Sequence, residues 1–359
     1  MNHVVRLVRW LRAATLRRWG SLLFISVILG WGLTALHLPA GVLLGCMLAG
    51  ILLASHEMQV KVPSTLFVLA QGVLGCLMAR SLQPAVLAKV AADWPTFLGA
   101  AVALMAASAW LGWLLMRRQI LPGTTAVWGL APGAASAMVL MAQGYGADAR
   151  LVAFMQYLRV AMVTALATLV AWWWSPHTAG VGEGASWLAP PDSVDLLWTL
   201  MLVLLGSMAA HWLLIPAGAL LIPLVLGTAL QAFNLLTFAL PPVLLAFAYA
   251  VIGWSIGLRF TRLILAHAWR ALPAVLGAIL ALIVLGVLMA VGLNQFAGFD
   301  PLTAYLATSP GGADSVAIIA ASSAVDAGFV MAMQMARFMV VLALGPGLSK
   351  WVAGRTGVS

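Results

Sequence analysis

Apolar residues along this chain come in long runs, not in the alternation of a half-buried strand or the single stripe of a surface helix. Each run is close to the length that carries an α-helix across a hydrocarbon core about 30 Å thick. In order they fall at about 19–38, 39–55, 63–81, 94–116, 123–142 and 151–174, and again at 195–212, 216–233, 241–259, 269–293, 302–323 and 329–344. Between the two sets lies SPHTAGVGEGASWLAPPDSV (175–194), rich in Gly, Pro and Ser and without a Lys or Arg. The pattern predicts an all-α polytopic membrane protein: a basic cytoplasmic arm over 1–18, a membrane half over 19–174, an external linker over 175–194, a second half over 195–351 and a cytoplasmic tail over 352–359.

The two sets are copies. APGAASAMVLMAQGYGADARLVAFMQYLRVAMV (131–163) lies without a gap on SPGGADSVAIIAASSAVDAGFVMAMQMARFMVV (309–341), a shift of 178 positions. Pro132 and Gly133 fall on Pro310 and Gly311, Asp148 on Asp326, Gln156 on Gln334 and Arg159 on Arg337. Apolar matches between hydrophobic segments carry little information, but only 8% of this chain is charged, so two aligned charges with Gln, Pro and Gly indicate duplication.

Composition excludes a soluble domain: 64% of residues are hydrophobic and mean hydropathy is +1.07. The net charge of +9 does not mark a nucleic-acid face, because the Lys and Arg residues sit at the ends of apolar runs, where they orient helices. That bias also bears on topology. If all twelve runs cross, Arg80, Lys89, Arg150, Arg259, Arg262 and Arg270 all face outside. If the interrupted run of each half dips in and returns, only Arg80 and Lys89 do. The sequence therefore favours ten crossings and two inverted repeats, each of about five transmembrane helices plus one Pro-Gly-interrupted or re-entrant element, with both termini cytoplasmic. The short 39–55 run and its partner are the other candidates for the segment that does not cross.

The candidate chemistry sits in the duplicated stretch. Pro132-Gly133 and Pro310-Gly311 divide their runs into pieces of about 14 Å, which puts the tips near the midplane with backbone groups freed from the helix. Asp148 and Asp326 stand where an N-cap of the next helix is expected. Arg159 and Arg337 lie three turns further on, about 16 Å in, with Gln156 and Gln334 on the same face. A guanidinium at that depth costs about 2.5 to 3.5 kcal/mol on insertion scales and needs a partner. Two partners stand on equal footing: the freed carbonyls of the tip, making each arginine a brace, or an anionic substrate held together with the half-helix N-termini. Asp314, where the first copy has Ser136, has three roles open to it: pairing with Arg337, taking up a proton, or coordinating sodium with nearby carbonyls and Ser315.

Elsewhere the sequence is quiet. Cys46 and Cys76 read as small buried hydrophobes with no disulfide, and the Gly-rich LLGCMLAGILLA as close helix packing. The sixteen tryptophans mostly suit interfacial belts. The histidines show no ligand spacing, and no hydrolase, metalloprotease or phosphate-loop motif is present.

The paired motifs, a Pro-Gly tip, a Gly-Ala-Asp-like cap and Gln with Arg three later, resemble the duplicated membrane-protein family called AbrB, whose labels include ammonia monooxygenase and AbrB-type regulator. Its first tip usually resembles Pro-Gly-Gly followed by an acidic residue. Here the first copy has Ala134 and Ser136, and the second keeps Gly312 and Asp314. The resemblance implies a bacterial inner-membrane protein. The residues themselves predict no enzyme, no metal and no cofactor, but a secondary transporter of a small anionic solute. Its binding groups would be Arg159, Arg337, Gln156, Gln334, Pro132, Gly133, Ser136, Pro310, Gly311, Gly312, Asp314 and Ser315. Its partners would be the bilayer, the anionic solute and a coupling ion, proton or sodium, with self-association open and no nucleic acid. The competing readings are a membrane regulator or sensor that moves nothing and, more distantly, a membrane monooxygenase.

Overall fold

Helix-forming Leu, Ala, Met and Val dominate every run, and Pro or Gly punctuates the gaps, so the chain folds as a succession of helices with no strand among the described residues. The computed structural model describes residues 2–38, 40–58, 60–82, 88, 94–119, 121, 124–131, 138, 142, 147–174, 193–213 and 218–354. The first half contains α1 (Asn2–Ala35), α2 (Gly41–Ser55), α3 (Ser64–Ser81), α4 (Trp94–Arg117), α5 (Thr125–Leu130) and α6 (Ala149–Trp174). The second contains α7 (Ser193–Leu213), α8 (Gly218–Ala232), α9 (Pro242–Gly257), α10 (Arg262–Ala268), α11 (Leu272–Ala297), α12 (Pro301–Thr308), α13 (Ala313–Ala321) and α14 (Ala327–Gly354).

Six of these helices are long and apolar enough to cross a membrane, and the apolar helices Gly41–Ser55, Gly218–Ala232, Pro242–Gly257 and Ala327–Val341 are shorter. The protein is an all-α polytopic membrane protein. Its outer surface fits that solvent: Leu23, Val27 and Trp31 on α1, Leu204, Met208 and Trp212 on α7, and Leu280, Val284 and Val291 on α11 are all exposed. Tryptophans 172 to 174 at the end of α6 and Trp94 at the start of α4 are exposed as well, at the helix ends where interfacial rings belong.

Two differences from the sequence reading have local causes. The basic stretch expected as a separate arm is helical from Asn2 and continuous with the first span, since no glycine or proline interrupts it before Gly20. A short helix, α10, stands between α9 and α11 where none was expected, capped by Thr261 Oγ1, which accepts from Ile264 N at 3.4 Å.

The two halves interlock through small residues. In each half the second helix packs on the first, and the third packs on the second helix of the other half: α3 on α8, and α9 on α2. Glycine sets the approach. A Cβ on Gly75 of α3 would lie 2.4 Å from Leu220 O, and one on Gly253, its counterpart, 2.6 Å from Leu43 O. On Gly257 it would lie 2.1 Å from Met47 O, and on Gly45 it would lie 2.4 Å from Gly30 N. Backbones that approach this closely replace the missing hydrophobic drive between helices in lipid with dispersion contact. Cys46 and Cys76 are free thiols buried in these crossings.

Gly257→Val forces a side chain against backbone and is expected to lower stability by about 1 to 3 kcal/mol or more. Gly277→Ala, with nothing within 4 Å of the new Cβ, is expected to be neutral or better. Thermal melting in detergent checks the pair, and equal melting points would contradict the tight crossing.

Candidate functional site

A half-helix that stops inside the bilayer leaves its last carbonyls without intrahelical partners. α5 ends at Leu130, and Ala131 leaves the helix with φ −56° and ψ 123°. α12 ends at Thr308, and Ser309 leaves it with φ −60° and ψ 133°. The next long helix of each half supplies the missing donors.

In the first half Gln156 Nε2 donates to Trp128 O and to Ala131 O, both at 2.9 Å. Arg159 Nη1 donates to Leu130 O at 3.1 Å and Ala131 O at 2.9 Å, while Nη2 donates to Gln156 Oε1 at 2.9 Å. The second half repeats this 178 positions on: Gln334 Nε2 donates to Leu306 O at 2.9 Å and to Ser309 O at 3.5 Å, and Arg337 Nη1 donates to Ser309 O. One bond differs. Arg337 Nη2 goes to Gly311 O at 2.8 Å, so Gln334 Oε1 is buried with no partner among the described residues. Each guanidinium also sits at the negative end of a short helix, where a cation is stabilised.

A second bond fastens the other end of each half-helix. Asp148 N donates to Thr125 Oγ1 at 3.0 Å and Asp326 N to Thr303 Oγ1 at 3.2 Å. The aspartates cap as placed: Asp148 Oδ1 accepts from Arg150 N at 2.9 Å and Leu151 N at 3.2 Å, and Asp326 Oδ1 accepts from Phe329 N at 2.9 Å. The threonines were missed from sequence, although Thr125-Ala126 and Thr303-Ala304 stand in the same 178-position register.

Of the two partners that the sequence left open for the arginines, the carbonyls have them. Arg159 is 1% exposed and Arg337 6%, and Gln156 and Gln334 are fully buried. Each guanidinium still keeps Nε–H without a partner among the described residues. Pro132, Gly133 and Ser136 lie outside the described residues, so the first tip is known only through Ala131. The second is described throughout. Gly311 is buried against Val163, and Gly312 faces Val160, four residues and one residue past Arg159 on α6. The second tip thus seats on the helix that carries the first arginine, and Arg337 lies close enough to Arg159 to feel its charge.

α13 restarts after this break with Gly312 at its N-cap and no side chain capping it. Ser315 Oγ turns back to Gly312 O at 3.1 Å. Asp314, in the first turn of α13, keeps part of its surface accessible. No ion pair joins it to Arg337 among the described residues. The Gln71 side chain of α3, from the other half, lies near enough to act on it.

A family model described as "Transition state regulatory protein AbrB" matches residues 42–353. The chain belongs to the AbrB family. It is 44% identical over 337 residues to an Escherichia coli (strain K12) protein named "Putative regulator AbrB", covering 94% of this chain and 97% of that one. It is 27% identical over 294 residues to "Uncharacterized protein YhjN" of Bacillus subtilis (strain 168), covering 77% of this chain and 76% of that one.

The unequal fates of the two glutamine oxygens give a test. Gln156→Leu removes both a donor to two carbonyls and the acceptor for Arg159, whereas Gln334→Leu removes a donor only. The first is expected to cost more, by about 1 kcal/mol or above, read as the difference in melting temperature of the purified variants. A larger loss for Gln334→Leu would contradict the assigned bonds.

Proposed function

We propose that this AbrB-family protein is a secondary transporter of a small anionic solute, working by alternating access between two oppositely oriented halves in the bacterial inner membrane, with both termini cytoplasmic. The observation that carries the reading is the charge balance at the tips. Arg337 lies within the field of Arg159, and Asp314, in the first turn after the second tip, makes no ion pair with either guanidinium among the described residues. Hydrogen bonds to neutral oxygens hold their Nη groups without cancelling their charge, and each Nε–H is left without a partner among the described residues. In a low-dielectric interior an uncompensated positive charge favours an anion. The uncapped start of α13 adds backbone N–H groups directed at the same place. In this scheme the arginines and glutamines hold the tips and set the field, and Gly311, Gly312 and the first turn of α13 contact the solute.

Two contacts support the opposed orientation. Glu57 follows α2, and Arg262 follows α9, the counterpart of α3; Arg262 Nη1 lies 3.7 Å from Glu57 Oε1. As an exposed pair it adds little stability, but it reports position. Were the halves parallel, Arg262 would share the side of the loop after α3 and stand across the membrane from Glu57. Similarly, Trp172 Nε1 donates to Leu36 O at 3.0 Å, which brings the ends of α1 and α6 to one side. With both ends on one side, an even number of the five runs from the second to the sixth crosses, which supports the reading in which one of them does not.

A second reading is favoured by one observation. Buried arginine heads whose Nη groups are held by carbonyls are also what a membrane regulator that transports nothing would contain, and "regulator" is in the printed name of the Escherichia coli relative. Flux separates the two. Proteoliposomes screened with radiolabelled mono- and dicarboxylates are expected to take up at least one, and Arg159→Gln and Arg337→Gln to lower that uptake by more than about tenfold, a change of about 1.4 kcal/mol. No flux from wild type, or unchanged flux in correctly inserted variants, would remove the proposal.

Orientation has its own check. Glu57→Cys and Arg262→Cys are both expected to react with an impermeant maleimide only when the cytoplasmic face is exposed. Labelling of the two from opposite faces would contradict inverted halves.

A further inference from the structure

The two tips differ in one ionisable group, because Asp314 stands where the first copy has Ser136. We infer that Asp314 is a protonation site, facing α3 of the opposite half, through which solute movement is coupled to a proton gradient. The coupling rests on the transporter reading above; the protonation itself does not.

The choice of partner is the first argument. An arginine bound to a carboxylate through both Nη atoms holds it ionised, and Arg337 is instead committed to Ser309 O and Gly311 O. Gln71 is neutral and serves either state: its Nε2 donates to a carboxylate, and its Oε1 accepts from a carboxylic acid. Protonation therefore costs Asp314 no partner.

Access is the second. The group keeps accessible surface at a break between half-helices, so a proton can reach it. The elements packed around α13 are α3, α6, α9, α12 and α14. The ionisable groups buried on them are Cys76, Arg159, Tyr249, Tyr305 and Arg337, and the two arginines are the charged members. With both present, a dianionic solute is balanced when Asp314 is neutral and a monoanion when it is ionised. By linkage, a dianion that prefers the protonated site raises the site's affinity for the proton to the same degree. The pair then moves together.

A metal cation fits less well. Hard cations need a cage of about six oxygens, and the tip carbonyls at Ser309, Gly311 and Gly312 already accept bonds from Gln334, Arg337, Ser315 Oγ and Val316 N.

The test uses the purified full-length protein and two readouts. The first is infrared difference spectroscopy on stepping the pH, which is expected to show a protonated-carboxyl band that vanishes in Asp314→Asn and changes frequency in Gln71→Leu. Absence of that band from wild type, or its persistence in Asp314→Asn, would overturn the inference. In the second readout, proteoliposomes enclosing a pH-sensitive dye receive radiolabelled succinate as the dianionic probe. Wild type is expected to take up protons with succinate, Asp314→Glu to retain this, and Asp314→Asn to lose it by more than about tenfold. Succinate uptake that needs sodium and moves no proton would also overturn the inference. A titrating band without flux of any tested anion would leave the protonation site standing and remove the transporter reading alone.

Discussion

A carbonyl oxygen released from a helix inside a bilayer has no water to turn to, and the rest of this molecule answers that difficulty. α5 and α12 end within the protein, and each leaves its final carbonyls to a long helix further along its own half, α6 and α14 respectively. The answer is a guanidinium and a carboxamide three residues apart, which reach two or three oxygens from one helix face. A guanidinium is suited to this because it offers five donors in a planar fork and its charge lies at the negative end of the short helix. The insertion cost of the charge and the cost of bare carbonyls thus offset one another, which explains why Arg and Gln occur together in both copies.

These bonds fix each tip in place, and fixed tips are useful only if something brings them together. The small-residue crossings do so. α2 and α9, α3 and α8 approach backbone to backbone, each pair taking one helix from each half, so neither half closes its own core. The second tip then lies against Val160 and Val163, beside the first arginine, and Gln71 of the first half reaches Asp314 of the second. Function in this reading belongs to the seam and not to either copy.

Much of this was legible in the sequence, and for identifiable reasons. The helices fall close to the apolar runs because few charges blur their edges. The caps at Asp148 and Asp326 come from counting residues along a helix. Legibility failed where a partner comes from elsewhere in the chain. Gln71 sits in a run of apolar residues with no local sign that it faces Asp314, 243 positions away. The Glu57–Arg262 contact, which bears most directly on orientation, joins two loops that are ordinary when read alone. The arginines' choice between carbonyl and solute was undecidable from spacing, because both alternatives need the same side chain at the same depth. In the structure the carbonyls hold the Nη atoms.

The account stands or falls on the guanidiniums holding their tips. Amide hydrogen exchange across residues 303–316, compared between wild type and Arg337→Gln, measures that directly. The account predicts faster exchange in the variant confined to this tip, with the α2–α9 and α3–α8 crossings still protected. Unchanged exchange at the tip would contradict it, since the carbonyls would then be held without the arginine.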